Sequence, residues 1–262
     1  MSNQKRFLTV DVGNTQMVFG LYDGDDLCAH WRLSSNHQLT SDELSWQLYG
    51  MFSQFGHNPK DLNGIMIASV VPHLDEVLRE ACLQTCGLNA AFVGDADVKT
   101  GMAIDYKNPK EVGADRIVNA LAARELYGSP AIVLDCGTAT TFDVISAAGH
   151  YVGGLIIPGV EVSLEALSKR AAKLPEVAIA PVDTLIGRDT ISSMQAGVYW
   201  SAIDGLNGIM NRLLAEEGYA NAAIIATGGL AIRLQDNMPK VSAFEPHLTL
   251  KGILILARKH FA

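Results

Sequence analysis

The sequence has few basic residues relative to acidic ones. It holds 20 Lys and Arg against 28 Asp and Glu, which gives a formal net charge of −8 at pH 7. A nucleic-acid-binding surface normally needs clustered basic residues, because contacts to phosphates dominate its affinity. We therefore expect no nucleic acid among the partners of this chain.

Cysteines are also few, and none stands in a CxxC pair. The four are Cys28, Cys82, Cys86 and Cys136, and their spacing matches neither a disulfide framework nor a zinc site. The seven histidines are equally scattered, without the HExxH or HxH spacings of metal ligands. We expect reduced thiols, most of them buried, and no histidine–metal chemistry.

The chain lacks an apolar run of membrane-spanning length. The terminal run Gly252–Ala257 is far shorter than the roughly 20 residues that a transmembrane helix needs. The N-terminus, where Lys5 and Arg6 precede a strand, does not have the pattern of a cleavable signal. The sequence therefore predicts a cytoplasmic protein with no membrane partner. Its 262 residues, 48% hydrophobic, suffice for a substantial core in two domains or in one large α/β unit.

Two familiar phosphate-binding motifs are absent, the GxxxxGK[ST] P-loop and the GxGxxG loop of protein kinases. The chain instead contains two glycine hairpins. In Val10–Gly20, an apolar run of Phe7, Leu8 and Val10 places Asp11 at the end of a strand, which breaks at a small polar turn and resumes as a second strand. Asp135–Asp143, with the apolar run 131–134 in front, repeats the pattern 124 positions later (135 − 11). In each, Gly13 or Gly137 lets backbone amides approach a ligand, and a short polar side chain follows. We interpret both as phosphate-binding hairpins.

A repeat half the length of the chain predicts a duplicated domain. A third small-residue turn, Thr227–Gly229, follows the apolar strand Ala222–Ile225, and the strand Gly64–Val71 would be its counterpart in the first half. Strands alternate with helices, which predicts a mixed or parallel sheet covered on both faces.

Two helix starts can be read from the sequence. Thr40 and Glu43 form a capping box before an apolar helical face of Leu44, Leu48, Met51 and Phe55. A second helix opens after Val112, carries Asp115 in its first turn and ends at Gly128. Asp115 could merely complement the helix dipole, but the two hairpins favour a functional role. Other helices are predicted at about 74–85, 161–172, 190–217 and 248–259.

The motifs Asp11–Thr15, Gly113–Arg116, Asp135–Ala139 and Thr227–Gly229 stand in the order and spacing found in type III pantothenate kinases. The chain resembles that family over essentially its whole length. The resemblance implies an α/β fold of two duplicated RNase H-like domains, residues 1–128 and 129–262, in the actin-like ATPase arrangement with a central interdomain cleft. It also implies ATP-dependent phosphorylation of pantothenate to 4′-phosphopantothenate, the first step of coenzyme A biosynthesis, by a homodimer that needs Mg²⁺ and a monovalent cation, K⁺ or NH₄⁺.

The resemblance further assigns roles to individual residues. Those implied to bind ATP are Asp11, Val12, Gly13, Asn14, Thr15, Gln16, Met17, Val18 and Thr138. Those implied to bind pantothenate are Tyr106, Gly113, Ala114, Asp115, Arg116 and Thr190, with Thr190 facing the partner subunit. Asp115 would be the general base, Asp135 would bind the monovalent cation, and Asp11 is a possible Mg²⁺ ligand.

Elementary chemistry is compatible with these roles. A carboxylate can accept the hydroxyl proton because that proton becomes acidic only as the new P–O bond forms. The planar fork of Arg116 suits a carboxylate or a phosphate, although a structural salt bridge explains it nearly as well. Two alternatives stay open: a kinase of the same fold acting on a sugar or a short carboxylic acid, and a nucleotide-switched accessory or binding protein. The presence of Tyr106, Asp115, Arg116 and Thr190 favours the enzyme.

Overall fold

The computed structural model describes residues 5–262, which contain ten strands and seven α-helices. The strands are β1 (Arg6–Val12), β2 (Gln16–Asp23), β3 (Asp26–Ser34), β4 (Gly64–Ser69), β5 (Ala91–Phe92), β6 (Ala131–Cys136), β7 (Ala139–Ile145), β8 (Tyr151–Pro158), β9 (Ala223–Thr227) and β10 (Ala243–Phe244). The helices are α1 (Ser41–Gln54), α2 (Pro72–Cys86), α3 (Ala114–Tyr127), α4 (Val160–Arg170), α5 (Thr190–Ala215), α6 (Gly229–Leu234) and α7 (Leu248–His260).

The chain divides into two compact units. Unit 1 consists of the chain up to Met102 together with Asn108–Ala122 and Leu248–Ala262. Unit 2 consists of Ala103–Lys107 and Ala123–His247. Neither unit is a continuous segment.

The sheet of unit 1 has the order β3-β2-β1-β4-β5. β1 is antiparallel to β2 and parallel to β4, so the first three strands form a meander and the last two are reached through helical crossovers. The core beneath it includes Leu8, Val10, Phe19 and Ile67. The three strands predicted for residues 5–33 are confirmed.

The capping box predicted at Thr40 is confirmed. The Glu43 amide donates to Thr40 Oγ1 at 3.3 Å, and the Thr40 amide donates to Glu43 Oε2 at 2.9 Å. The helix buries Leu44 and Leu48 as predicted, but its third buried side chain is Phe52, while Phe55 is 41% exposed at the C-cap. Phe55 has the right period for the buried face but lies at the C-cap, where the helix has already ended at Gln54.

Helix α7 packs in unit 1, far in sequence from the rest of that unit. Gly252 lies against the backbone of Val118, where a Cβ would clash with the carbonyl oxygen. Phe261 packs over Gly64 and stacks on Phe7, with ring centroids 6.2 Å apart. The domains predicted from the sequence, residues 1–128 and 129–262, are continuous segments. These long-range contacts are why the packed units divide the chain differently.

The sheet of unit 2 repeats the arrangement of unit 1. Its order, read from the edge that corresponds to β3, is β8-β7-β6-β9-β10. β6 is antiparallel to β7 and parallel to β9, as β1 is to β2 and β4. The predicted duplication is therefore confirmed, and so is the prediction that the strands at 64–71 and 222–225 are counterparts in the two halves.

The two hairpins differ in length by one residue. Three residues separate β1 from β2, whereas two residues separate β6 from β7. The closing hydrogen bond runs from the Gly13 amide to the Gln16 carbonyl in the first, and from the Gly137 amide to the Ala139 carbonyl in the second.

Two further predictions concern cysteines and membranes. Cys82, Cys86 and Cys136 are buried free thiols, as predicted, and Cys28 is exposed. Within residues 5–262, no helix combines the length and the apolarity that crossing a membrane requires.

Candidate active site

Asp11 lies near the end of β1, the central strand of unit 1. Its side chain is partly exposed, and it pairs with Val18 in β2 and Ala68 in β4. Beyond it, Asn14, Thr15 and Gln16 are exposed, whereas Val12 and Met17 are fully buried in the core. Of the residues assigned to ATP by resemblance, Val12 and Met17 therefore have only their backbone to offer a ligand.

Ser35 holds the first hairpin turn in place from the end of β3. Its hydroxyl donates to the Gly13 carbonyl at 2.6 Å, and its amide donates to the Thr15 carbonyl at 3.0 Å. The turn is thereby tied on both sides, because the Gly13 amide is bonded to Gln16 as well. A polar turn fixed by three hydrogen bonds is a preorganised one.

The two hairpin glycines are not explained by the backbone alone. Neither Gly13 nor Gly137 has a positive φ. A Cβ on Gly13 would lie 3.3 Å from the Gln16 carbonyl oxygen, a tight but tolerable contact, and a Cβ on Gly137 would meet nothing closer than 3.5 Å. The turns therefore do not need glycine for an unusual backbone conformation. An uncrowded backbone that a ligand can approach is a physical reason that fits both positions.

Asp115 sits in the first turn of α3, as predicted. Its Oδ1 accepts a hydrogen bond from the Arg116 amide at 2.8 Å. The same oxygen lies so close to Gly113 that a Cβ there would clash with it. The carboxylate is thus fixed by a donor on one side and by the bare backbone of a glycine on the other.

Asp115 and the turn of the first hairpin lie at the end of the sheet of unit 1 where β1 and β4 finish. The Val70 amide, just after β4, donates to the Val12 carbonyl at 3.0 Å. Val70 Cγ1 in turn lies 3.4 Å from the position of a Cβ on Gly113. Because β1 and β4 are parallel, their C-terminal ends meet, and the start of α3 is packed against that end. The start of α3, with Gly113 and Asp115, therefore lies at the end of β1 and β4 where the first hairpin turns.

Burial shifts the pKa of Asp115. Desolvation raises it above the ordinary aspartate value of 3.8, while the Arg116 amide and the Arg116 charge act in the opposite direction. A raised pKa makes the carboxylate a stronger base.

Asp135 occupies the corresponding place in unit 2. It faces Thr141 in β7 and Thr227 in β9. Gly228, with φ of +89°, folds so closely over the strand end that a Cβ would lie 2.8 Å from Asp135 Oδ1 and 2.5 Å from the Cys136 carbonyl oxygen. Burial, and secondarily the Asp135 charge, raises the pKa of Cys136 to about 12, so this thiol stays protonated.

The second hairpin is held by Gly159, which follows β8. Its amide donates to the Thr138 carbonyl at 3.1 Å. A Cβ on Gly159 would overlap that oxygen and would lie 2.7 Å from the Gly137 carbonyl oxygen. Thr138 itself is exposed at the tip of the turn.

Tyr106 belongs to unit 2, on a short extended segment beside β8. Its side chain is 38% exposed, and its ring makes an edge contact with Tyr151 at a centroid distance of 6.2 Å. Unit 1 contains the other predicted pantothenate contacts, Gly113 to Arg116, whereas Tyr106 and Thr190 belong to unit 2.

Thr190 is the first residue of α5 and is exposed. Asp189 caps that helix in a reciprocal pair with Ser192, and the hydrogen bonds from Ser192 lower the pKa of Asp189. A shallow, open depression lies here, and it is lined by Leu174, Gly187, Arg188, Asp189, Thr190 and Met194 among others.

The acidic residues of both hairpins suit cations that are shared with a nucleotide. In the described part of the chain, no three His, Cys, Asp or Glu side chains converge as a metal cage. Mg²⁺ that accompanies ATP needs no such cage, because one or two carboxylates and the phosphates hold it. Asp11, a partly exposed carboxylate beside the turn of the first hairpin, fits that donor set. Asp135 between two threonines fits a cation that prefers oxygen ligands.

Two five-stranded mixed sheets of identical order, each with an aspartate before its first hairpin, define the class as an actin-like ATPase fold, shared with sugar kinases. A putative N-acetylmannosamine kinase from Listeria monocytogenes matches with a TM-score of 0.57 at 12% identity, over 98% of this chain and 100% of that one. MreB 5 of Spiroplasma citri, bound to AMPPNP, matches with a TM-score of 0.56 at 14% identity, over 97% of this chain and 96% of that one. Such identities speak to the fold alone.

Sequence comparison narrows this class to one family. The family model of type III pantothenate kinase matches residues 7–212. The type III pantothenate kinase of Moorella thermoacetica is 45% identical over 253 residues, which cover 97% of this chain and 99% of the relative. That of Listeria monocytogenes serovar 1/2a is 42% identical over 253 residues, which cover 97% of each. The chain belongs to the type III pantothenate kinase family.

Proposed function

We propose that this protein transfers the γ-phosphoryl group of ATP to the primary hydroxyl of pantothenate and so makes 4′-phosphopantothenate, the first step of coenzyme A biosynthesis. The observation that carries the proposal is the placement of Asp115. This carboxylate has a raised pKa and is fixed between Gly113 and the Arg116 amide. It lies at the end of the sheet where β1 and β4 finish and the Asp11 hairpin turns. Family membership supplies the acceptor.

In this proposal, the two hairpins bind the phosphates of ATP. Asn14, Thr15, Gln16 and Thr138 are exposed and carry hydrogen-bonding side chains, while Val12 and Met17 contribute backbone groups only. Glycines at 13 and 137 keep the turns open to phosphate oxygens. Ser35 keeps the first turn from moving when those oxygens arrive.

Asp115 acts as the general base. The pantothenate hydroxyl oxygen forms a bond to the γ-phosphorus, the bond from that phosphorus to the β,γ-bridging oxygen breaks, and ADP leaves with the bridging electron pair. Asp115 accepts the hydroxyl proton as the new bond forms. Its fixed position accounts for more of the rate than its basicity, because phosphoryl transfer depends chiefly on alignment and on charge neutralisation.

Arg116, Tyr106, Gly113, Ala114 and Thr190 bind pantothenate in this proposal. Pantothenate carries a carboxylate, which the planar Arg116 guanidinium suits. Tyr106 presents a partly exposed aromatic ring and a hydroxyl. Gly113 and Ala114 leave room for the acceptor beside Asp115.

Two cations complete the proposed site. Asp11 would hold Mg²⁺ together with ATP, and Asp135 would hold K⁺ or NH₄⁺, with Thr141 and Thr227 adjacent. When bound, these cations offset negative charge on the phosphoryl oxygens.

We further propose a cytoplasmic homodimer in which Thr190 serves the active site of the partner. Unit 2 exposes large apolar side chains on β8, on α4, in the segment before α5 and in the first turn of α5: Ile156, Leu167, Leu185, Ile186 and Ile191. Leu185, Ile186 and Ile191 fall within seven residues of one another, and clustered exposed apolar side chains are typical of a surface that a partner covers. Thr190 lies between Ile186 and Ile191, so covering them would carry Thr190 into the interface.

The test is an acceptor screen by mass spectrometry with purified protein, ATP and Mg²⁺. Phosphopantothenate should form with pantothenate only, and KCl or NH₄Cl should be needed where NaCl is not sufficient. Glucose and acetate are the control acceptors. Equal turnover with either would show that pantothenate is not the specific substrate. A nucleotide-dependent change of shape without any phosphorylated product would instead indicate a switch.

A further inference from the structure

Asp143, in the middle of β7, is a carboxylate that the proposed mechanism does not use. It is fully buried, although a carboxylate is costly to bury unless hydrogen bonds fix it. Its Oδ1 accepts the Tyr151 hydroxyl at 3.0 Å, and its Oδ2 lies 3.4 Å from the Thr141 hydroxyl. Such a group sets the orientation of its donors, which an apolar residue of similar size would not do.

Tyr151, its donor, holds the segment that carries Tyr106. Tyr151 is itself fully buried at the start of β8. Its amide donates to the Ala103 carbonyl at 2.9 Å, and its carbonyl accepts the Asp105 amide at 2.8 Å. These two bonds align residues 103–105 with β8 as a short parallel bridge at Ile104. The backbone beside Tyr106 is thus tied to one tyrosine.

The Tyr106 ring rests on the same support. It makes an edge contact with the Tyr151 ring, and it lies over Gly153, where a Cβ would be 3.6 Å from Tyr106 Cε2. Next to it, Asp105 pairs with His150 Nδ1 at 2.8 Å. Tyr106 is therefore presented by β8, and the rotation of the ring beneath it is fixed through the Tyr151 hydroxyl.

We propose that Tyr151 and Asp143 are positioning residues for Tyr106 in acceptor binding. This inference rests on the proposed function, in which Tyr106 contacts pantothenate. Neither residue touches the substrate, and the buried hydroxyl–carboxylate pair acts only by holding the Tyr106 ring in its binding orientation. Its loss should weaken pantothenate binding and leave ATP binding unchanged.

The first test is Tyr151→Phe, which keeps the ring and removes the hydroxyl. We expect the KM for pantothenate to rise about three- to tenfold while the KM for ATP stays constant. Asp143→Asn, which keeps an oxygen to accept the hydroxyl, should stay close to wild type, and Asp143→Ala should resemble Tyr151→Phe. Tyr199→Phe is the matched control, because this tyrosine is also buried and loses a 3.0 Å hydrogen bond with Asn237. It should leave both KM values unchanged.

A double variant separates positioning from general loosening. In a Tyr106→Ala background, Tyr151→Phe should have no further effect on the KM for pantothenate. An unchanged KM in Tyr151→Phe, an equal rise in both KM values, or an additive rise in the Tyr106→Ala background would each overturn the proposal. If Tyr151→Phe does not fold, the comparison of Asp143→Asn with Asp143→Ala decides by the same criteria.

A readout without turnover distinguishes this inference from the proposed function. Nitration of Tyr106 by tetranitromethane, followed by peptide mass spectrometry, should be faster in Tyr151→Phe than in wild type or Tyr199→Phe, because a released ring is more exposed. A wild type that does not phosphorylate pantothenate, combined with faster nitration, would refute the function and keep the coupling of the two tyrosines. Equal nitration rates would refute the positioning role even in an active enzyme.

Discussion

Gly113 and the carboxylate of Asp115 share a space that admits no further atom, since a Cβ on residue 113 would clash with Asp115 Oδ1. A glycine two positions before the candidate base is therefore required by that base. It is not required for an unusual backbone, because the φ of Gly113 is not positive.

Gly113→Ala should displace Asp115 and lower kcat/KM for pantothenate by about a hundredfold, the typical effect of a misplacement near 1 Å. Gly50→Ala is the control, because Gly50 is an exposed glycine inside α1 with nothing within 4 Å of an added Cβ. It should keep full activity and gain about 1 kcal/mol of stability. Steady-state kinetics and thermal unfolding measure both effects. Full activity in Gly113→Ala would show that the position of Asp115 does not matter.

Asp115→Asn should lower kcat by about a hundredfold or more, because it removes proton acceptance. In the wild type, kcat/KM should fall as the pH drops through the Asp115 pKa, which burial raises above 3.8. The variant should lack that acid limb. Asp26→Asn, an exposed aspartate at the start of β3, is the control and should retain wild-type kinetics. Wild-type turnover in Asp115→Asn would remove Asp115 from the mechanism.

Although Asp115→Asn should lower activity, it should not lower stability. Since the folded state holds the Asp115 proton more tightly than the unfolded state, ionised Asp115 costs stability at neutral pH, and that cost disappears as the pH falls to about 3.8 and below. Asp115→Asn should therefore unfold at the same or a higher temperature than wild type at pH 7. Its advantage should shrink between the raised pKa and 3.8. A variant less stable than wild type at pH 7 would mean that the charge stabilises the fold.

Gly228→Ala should destabilise unit 2 for two reasons, a φ of +89° and the contacts of a Cβ with Cys136 and Asp135. Gly218 has the same φ of +89° with nothing within 4 Å, so Gly218→Ala isolates the conformational cost of about 1–2 kcal/mol. The excess loss in Gly228→Ala, about 1–3 kcal/mol, is then the steric part. Urea unfolding measures both, and equal losses would argue against close packing at Asp135. If Asp135 binds the cation, Gly228→Ala should also weaken the dependence of turnover on K⁺.

Co-expression of Asp115→Asn with Thr190→Ala tests whether Thr190 acts across a homodimer. Each variant alone should be nearly inactive. In a mixed dimer, one of the two sites would combine an intact Asp115 from one subunit with an intact Thr190 from the other. With random pairing, about a quarter of wild-type activity should return. No recovery from a mixture shown to contain mixed dimers would place Thr190 in the site of its own subunit.

Local sequence signals correctly predicted those parts of the fold that depend on neighbouring residues. The Thr40 capping box, the helix end at Gly128 and the two hairpins each depend on neighbouring residues, and each is found in the structure. The contacts that the sequence did not reveal span long separations. Gly252 packs on Val118, and Val70 links Val12 to Gly113, and no local pattern encodes such pairs.

Two short elements were missed for a related reason. The six residues of α6 and the two residues of β10 are too few to produce a recognisable period. In the candidate site, Gly113 and Asp115 lie at the end of β1 and β4, and the supporting contacts of Ser35, Gly159 and Tyr151 emerge only from the structure. The ligand assignments themselves stay predictions.

The extra residue in the first hairpin makes the two repeated halves unequal. The extra position is absorbed within the tip, because Asp11 still faces Val18 as Asp135 faces Thr141, and β2 and β7 show the same alternation of buried residues. The two loops therefore differ only where their tips are exposed. A symmetrical pair of loops would present the same chemistry twice, whereas a nucleoside triphosphate has different ends. Under the proposed function, the unequal tips would offer different groups to the two ends of that molecule.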